Sequence, residues 1–273
     1  MKRQNSNWDF YDTAVMPEKI RHKTYFLSDV HLGAKYINDP RRHEQRVVSL
    51  LETMGRDAEA IYLLGDILDF WFEYHHVVPK GHIRLFGTIA RLTDSGVRVY
   101  WLKGNHDMWT YSYLHDELGV EIIEDSVQAT IHGKNFFLSH GDNLGKQPRP
   151  YRIMRSVFRS PFWQRVGCSL HPSWLIPFAF RWSSHNRTRR GEDIEKYLGD
   201  ENEQQMQFAI NYAAAHPEID FFITGHRHVA IDRPVPGSQD ARLICLGDFF
   251  RQFTYAEFDG NNNVVLKHYV SNA

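Results

Sequence analysis

The sequence predicts an α/β fold built around a mostly parallel sheet. Short apolar runs of strand length alternate with segments of helical periodicity, and five of those runs end in a polar cluster. Hydrophobic residues make up 42% of the 273 residues and charged residues 24%, which excludes a fibrous or wholly disordered chain. We expect one domain over residues 1–273, carrying an insertion.

The predicted elements follow in chain order from the hydrophobic pattern. Residues 23–28 form a buried strand, residues 47–54 recur at helical spacing, and residues 60–64 form the next strand, which gives a β-helix-β crossover. Further helices are predicted over 81–94 and 192–215, a hairpin over 127–132 and 135–139, and strands over 97–102, 221–224, 242–246, 253–258 and 264–269.

Cysteine usage favours a reducing cytoplasm, and hydropathy gives no sign of a membrane span. Cys168 and Cys245 are far apart and outside any CxxC spacing, so neither a disulfide framework nor a thiolate zinc site is indicated. The first twelve residues are polar and lack the apolar core of a secretion signal. No apolar run approaches the roughly 18 residues that a membrane span requires, so we expect no integral membrane protein.

Five polar clusters follow predicted strands, where ligand crevices form in open α/β sheets. They are Asp29-Val30-His31, Gly65-Asp66, Gly104-Asn105-His106-Asp107, His140-Gly141-Asp142 and Gly225-His226-Arg227-His228. Carboxylate, imidazole and amide ligands without thiolate favour manganese, iron, zinc or magnesium. A carboxylate such as Asp66 can bridge two cations, and such a pair can activate water for attack at phosphorus. The expected chemistry is phosphoester or pyrophosphate hydrolysis.

These motifs, in this order from about Thr24 to Val229, resemble the full series of the calcineurin-like metallophosphoesterases. The resemblance implies a four-layer α-β-β-α sandwich and two divalent cations, with Mn²⁺ preferred. It implies one cation held by Asp29, His31, Asp66 and His228, and another held by Asp66, Asn105, His140 and His226. It also implies that His106 contacts the scissile phosphate or protonates the leaving group, and that Asp107 orients His106.

Within that family the chain most resembles the UDP-2,3-diacylglucosamine pyrophosphohydrolases of lipid A biosynthesis. The stretches 61–71 and 140–144 carry this resemblance, together with an insertion over residues 144–190 that implies a helical lid. The substrate contacts it implies are Asn105, His106, Ser184, Asn186, Arg187, Arg190 and His226. Two departures, His106 in place of an arginine and Lys146-Gln147-Pro148-Arg149 in place of an Asp-Asp pair, leave a different substrate open.

The insertion has an unusual charge distribution, although the whole chain carries a net charge of only −1. No acidic residue lies between Asp142 and Glu192. The same stretch contains Lys146 and nine arginines. Its apolar residues recur at mixed helical spacing between the arginines. This pattern suits a lipid with a phosphate head or an anionic membrane surface. Ordinary helical packing with solvated arginines is an equal alternative, and nucleic-acid binding is a third.

The leading hypothesis is a cytoplasmic enzyme, peripheral on the inner membrane, that cleaves UDP-2,3-diacylglucosamine to UMP and 2,3-diacylglucosamine 1-phosphate. Its partners would be this lipid-linked nucleotide and the anionic membrane surface, without nucleic acid. A phosphodiesterase or nuclease is the catalytic alternative. A metal-retaining scaffold of the same fold is the alternative from another class. The reaction class rests on the residues, and the substrate rests on the resemblance.

Overall fold

Two β-sheets stack face to face between layers of helices in the computed structural model, which describes residues 21–179 and 196–270. The predicted four-layer α-β-β-α sandwich is therefore confirmed. Within those two ranges, no helix combines the length and the hydrophobicity needed to cross a bilayer.

The first sheet has six strands in the order β11-β10-β1-β2-β3-β4. These are β1 (Lys23–Leu27), β2 (Ala58–Leu63), β3 (Arg98–Leu102), β4 (Glu121–Ile123), β10 (Thr254–Phe258) and β11 (Val264–His268). Strands β1 to β4 run parallel, as the crossover pattern predicts, and β10 and β11 pair antiparallel at one edge. Helices α1 (Pro40–Met54), α2 (Ile83–Asp94) and α3 (Tyr113–Leu118) bury their apolar faces in the core cluster of this sheet.

The second sheet has five strands in the order β5-β6-β7-β9-β8. These are β5 (Ser126–Ile131), β6 (Lys134–Ser139), β7 (Phe221–Thr224), β8 (Ala230–Pro234) and β9 (Arg242–Leu246). The predicted hairpin joins β5 to β6 through His132 and Gly133, which both take the positive φ of a tight turn. Helix α7 (Gln204–Ala215) covers the outer face of this sheet.

An aromatic-rich cluster fills the space between the sheets. The ring of Phe26 in β1 lies 5.7 Å from the ring of Phe136 in β6, and Phe136 stacks on Phe221 in β7 at 5.1 Å. Strands that are buried on both faces have continuous apolar sequences, and this explains why the pattern of β1, β6 and β7 is not alternating. The packing fixes the two sheets against each other, and with them the loops at their strand ends.

The insertion adds helices outside the sandwich. Helices α4 (Arg149–Phe158) and α5 (Pro161–Cys168) each begin with a proline in the first turn, where its missing N–H costs no hydrogen bond. The chain is helical again over 172–179, which we call α6. Neither α4 nor α5 fully buries any residue, so both lie on the surface.

Two details differ from the sequence prediction. The helix predicted over 192–215 begins only at Gln204, because Gly199 takes a φ of 88° and a turn over residues 200–202 precedes the helix. Residues 192–195 lie outside the described residues. Strands β4 and β8 were not predicted, since one is only three residues long and the other carries polar residues and a proline.

Candidate dinuclear metal centre

The loops that follow five strands bring the predicted ligands to one end of the two sheets. Asp29 and His31 follow β1, Asp66 follows β2, and Asn105 follows β3. His140 follows β6, and His226 and His228 follow β7. Because the strand ends face each other across the sandwich, side chains distant in sequence lie close together.

One group of possible ligands consists of Asp29, His31 and His228, whose ligand atoms lie within 4.8 Å of one another. His228 Nε2 is 3.0 Å from Asp29 Oδ1 and 3.3 Å from His31 Nε2. Imidazole nitrogens that face each other at this distance are well placed to share one cation.

A second group consists of Asp66, His140 and His226, again within 4.8 Å. His140 Nε2 lies 3.3 Å from Asp66 Oδ2 and 3.3 Å from Asn105 Oδ1, so the asparagine amide belongs to this group. Asp66 Oδ2 is also 3.8 Å from His31 Nε2 of the first group. Asp66 is therefore the carboxylate between the two groups, as a bridging ligand must be.

The backbone at this centre is strained. Five of the proposed ligands take positive φ values, between 50° and 69°. They are Asp29, His31, Asp66, His226 and His228. Such φ values are uncommon in residues other than glycine and persist where surrounding structure enforces them. Their concentration in the proposed ligands is typical of a functional site.

Two glycines allow the loops to approach this closely. A Cβ atom added at Gly104 would lie 2.2 Å from Asp66 Oδ1, and a Cβ atom added at Gly225 would lie 2.4 Å from Asp29 Oδ2. Both distances are shorter than any non-bonded contact, so these positions admit glycine only. The glycines of the motifs thus have a steric role beside the two carboxylates.

Further contacts orient the histidines. The Nδ1 atom of His140 lies 2.8 Å from the Leu64 carbonyl, and His31 Nδ1 lies 3.2 Å from Asp69 Oδ1. A proton held on Nδ1 leaves the lone pair of Nε2 directed into the centre, as metal-binding histidines require. Asp69 therefore lies behind His31, on the side of its ring away from the centre.

The pKa shifts of the proposed ligands favour the binding of cations. Burial opposes ionisation of Asp29 and Asp66, yet neighbouring imidazoles hold the pKa of each carboxyl well below its usual range. Burial would lower the pKa of His140, but the charge of Asp66 outweighs burial and raises this pKa above its usual value. Burial and the charge of His140 lower the pKa of His226 to about 4, so this imidazole is neutral at pH 7.

One buried oxygen fits a metal in particular. Asp29 Oδ2 accepts hydrogen bonds from the His226 backbone N–H and the Ser28 hydroxyl. Asp29 Oδ1 faces His228 Nε2 at 3.0 Å and His31 Nε2 at 3.7 Å, yet neither contact has hydrogen-bond geometry within the described residues. An unpaired buried carboxylate oxygen is costly, and a divalent cation beside His31 and His228 would supply its missing partner.

Asp107 joins the loop after β2 to the loop after β3. Its buried carboxylate accepts hydrogen bonds from the backbone N–H groups of Gly104, Asp66 and Ile67, because a short carboxylate satisfies several N–H groups at once. Burial and the charge of Asp66 raise the pKa of Asp107. The His106 ring is held through its Nδ1, 2.9 Å from the Asp69 carbonyl. The role of Asp107 in orienting His106 stays a prediction.

Sequence reasoning missed an aromatic wall beside the centre. The ring of Phe250 lies 5.7 Å from the ring of His31 and 5.3 Å from that of His228. Asp248 fixes the turn that presents Phe250, by accepting hydrogen bonds from three backbone N–H groups. The Leu246-Gly247-Asp248 strand end is a sixth polar cluster, and this was the available signal.

The insertion is tied to the same loops. The Oδ2 atom of Asp142 accepts hydrogen bonds from the Tyr151 hydroxyl, at 3.0 Å, and from Arg155 Nε, at 3.1 Å. Arg155 and Arg159 both pair with Asp125, so these two arginines are compensated by acidic residues outside the insertion. The expected substrate contacts Ser184, Asn186, Arg187 and Arg190 lie outside the described residues.

Comparisons with known proteins agree with this geometry. The calcineurin-like phosphoesterase family model matches residues 22–230. A UDP-2,3-diacylglucosamine hydrolase of Porphyromonas gingivalis is 38% identical over 257 residues, which cover 90% of this chain and 97% of that protein. A protein of the same name from Stenotrophomonas maltophilia is 28% identical over 87% of this chain and 95% of its own length. Another, from Ectopseudomonas mendocina, is 27% identical over 86% of this chain and 93% of its own length. The chain therefore belongs to the calcineurin-like phosphoesterase family.

Proposed function

We propose that this protein hydrolyses the pyrophosphate of UDP-2,3-diacylglucosamine to UMP and 2,3-diacylglucosamine 1-phosphate. The observation that carries the proposal is the similarity, over 90% of this chain, to a hydrolase of that name. It is joined to a centre in which Asp66 Oδ2 lies between the two ligand groups, 3.3 Å from His140 Nε2 and 3.8 Å from His31 Nε2. A substrate with a pyrophosphate between a nucleotide and a lipid also suits a centre that adjoins a basic, apolar insertion.

The metal assignment proposed is Asp29, His31, Asp66 and His228 for one cation, and Asp66, Asn105, His140 and His226 for the other. We propose Mn²⁺ for both, because carboxylate, amide and imidazole ligands suit this ion. When bound, such a pair lowers the pKa of water and stabilises the charge that develops on phosphate oxygens.

The side chains around the centre supply the remaining chemistry. The Asp69 carbonyl can only accept a hydrogen bond, so it keeps a proton on His106 Nδ1 and turns Nε2 toward Asp66, 4.0 Å away. In this orientation His106 can donate from Nε2 to a phosphate oxygen or to the leaving group when protonated. Asn105, His106 and His226 are the proposed phosphate contacts, and Ser184, Asn186, Arg187 and Arg190 are the proposed nucleotide contacts.

The insertion over residues 144–190 is proposed as a lid within a single domain of residues 1–273. A cavity of about 620 Å³ lies between α4 and α5, lined by Arg149, Arg152, Ile153, Ser156, Val157, Ser160 and Trp163. This size falls in the range of small-molecule sites, and its mixed apolar and cationic lining suits an acyl chain beside a phosphate. Arg149 and Arg152 make no ion pair with any residue in 21–179 or 196–270.

The same insertion supports a peripheral position on the cytoplasmic face of the inner membrane. Its exposed apolar side chains include Ile153, Phe162, Trp163, Trp174 and Phe178, between 51% and 73% exposed. Large exposed apolar residues that alternate with cations are typical of surfaces that bind anionic lipid.

A parallel assay tests the proposed reaction. Purified protein with Mn²⁺ is incubated with UDP-2,3-diacylglucosamine, single-stranded DNA and an aryl phosphodiester. We expect fast turnover of the lipid nucleotide alone, with UMP as a product. Fast cleavage of DNA would instead identify a nuclease, and inertness toward all three would favour a metal-retaining scaffold.

Replacing Trp163 by alanine should raise the KM for substrates with long acyl chains about tenfold and leave turnover of an aryl phosphodiester unchanged. The reason is lost apolar contact area, at about 25 cal/mol per Å², in the cavity between α4 and α5. Steady-state kinetics with acyl chains of different length would measure the effect. Ile83→Ala is the matched control, because Ile83 is 79% exposed on α2 and distant in sequence from the insertion. An equal effect on short and long chains would argue against acyl binding by Trp163.

Trp174→Ser combined with Phe162→Ser should weaken co-sedimentation with vesicles that contain phosphatidylglycerol. Both side chains are largely exposed and apolar, so their burial in a bilayer interface would favour binding. Vesicles of phosphatidylcholine alone should bind the wild-type chain less, because the arginines lose their anionic partners. Equal binding of the wild-type and double-variant chains would contradict a membrane role for this surface.

A further inference from the structure

Arg227 lies between His226 and His228 and forms a two-point ion pair with Glu203. Arg227 Nε lies 2.7 Å from Glu203 Oε1, and a terminal guanidinium nitrogen lies 3.2 Å from Oε2. The Glu203 side chain is only 1% exposed and that of Arg227 18% exposed. Paired geometry of this kind fixes the guanidinium plane as well as its position.

The ion pair connects the histidine loop to the chain that leaves the insertion. Glu203 precedes the first residue of α7, and the Arg227 guanidinium also donates to the Lys196 carbonyl, at 3.3 Å. In the first turn of α7, the Gln205 side-chain amide donates to the Gly225 carbonyl, at 2.9 Å. Residues 196–205 thus hold the loop that carries the two histidines at its start, Gly225, and between the histidines, at Arg227.

We propose that Arg227, through Glu203, is a positioning residue for both cations of the proposed centre. This inference rests on the proposed two-metal assignment, in which His226 and His228 belong to different cations. Both histidines take positive φ values, 69° and 54°, which a free loop would abandon. A loop held at Arg227 keeps both imidazoles at the spacing that two cations require. Loss of the ion pair therefore weakens both sites together.

Calorimetric titration of Mn²⁺ into the chelator-stripped full chain tests this role. For Arg227→Lys, which keeps the charge but loses the two-point contact, we expect both Mn²⁺ affinities to fall by roughly 10–100-fold. Glu203→Gln should act similarly. Excess Mn²⁺ should restore turnover of an aryl phosphodiester. Arg233→Gln is the matched control, because Arg233 pairs with Asp200 of the same segment 196–205, but this ion pair is more exposed, at 48% and 32%.

A second variant separates positioning from stability. Replacing Arg227 and Glu203 both by methionine removes a buried ion pair without leaving an unpaired charge, so the chain should fold. We expect its melting temperature to be near that of the wild type and its Mn²⁺ affinities to remain weakened. Unchanged Mn²⁺ affinities in this variant or in Arg227→Lys would overturn the proposal. A wild-type chain that binds two Mn²⁺ ions but leaves the lipid nucleotide intact would refute the proposed function only.

Discussion

Asp66→Ala is expected to abolish turnover of every phosphate substrate and to lower the Mn²⁺ content of the purified chain. Asp66 Oδ2 lies between His140 Nε2, at 3.3 Å, and His31 Nε2, at 3.8 Å. Its loss would therefore remove the one carboxylate that the proposed assignment gives to both cations. Two cations that no longer share a ligand cannot hold water and phosphate in a common geometry. Elemental analysis and turnover assays in added Mn²⁺ would measure both effects.

The control for this variant is Asp116→Ala, an exposed aspartate on α3. Asp66 Oδ1 also accepts a hydrogen bond from the His106 backbone N–H, at 2.8 Å, so the substitution should lower stability as well. Asp66→Asn keeps an acceptor at that position and should fold better while remaining inactive. Near wild-type activity of Asp66→Asn in excess Mn²⁺ would exclude the bridging assignment.

The proposed ligands were predictable because each lies within a few residues of an apolar strand. Buried strands β1, β2, β3, β6 and β7 have strong apolar patterns, and glycine, carboxylate or histidine follows each of them within two residues. Strand β8 has no such pattern. Its residues Asp232 and Arg233 are exposed, and it is held by pairing with β9 and by the Asp232–Arg242 ion pair, which no local signal reveals.

The residues that support the ligands were less predictable, because their partners are distant in sequence. Arg227 meets Glu203 across 24 positions, and His31 meets Asp69 across 38. The resemblance implies that Asp107 orients His106, but it does not reveal that the Asp107 carboxylate accepts hydrogen bonds from the N–H groups of Asp66 and Gly104. Such contacts depend on how the sheets pack, so a motif identifies a ligand more reliably than the residue that orients it.

Substitution of His106 is also expected to cause a large loss of turnover. The two possible roles of His106 predict different losses on different substrates. The half-buried ring is held through Nδ1 by the Asp69 carbonyl, and Nε2 lies 4.0 Å from Asp66 Oδ2. As an acid, the imidazolium would give a proton to the departing phosphate oxygen. As a phosphate contact, it would stabilise charge without transferring a proton. A leaving group that needs no proton distinguishes these roles.

His106→Ala should lower kcat for the lipid nucleotide by about 10²–10⁴-fold while metal content stays near that of the wild type. If His106 is the acid, the loss should shrink for a p-nitrophenyl phosphodiester, because nitrophenolate leaves without protonation. An equal loss on both substrates would assign phosphate stabilisation instead. His75→Ala, at an exposed histidine, is the control and should match the wild type. Loss of bound Mn²⁺ in His106→Ala, with normal turnover by the remaining metal-bound fraction, would make His106 a ligand and contradict both roles.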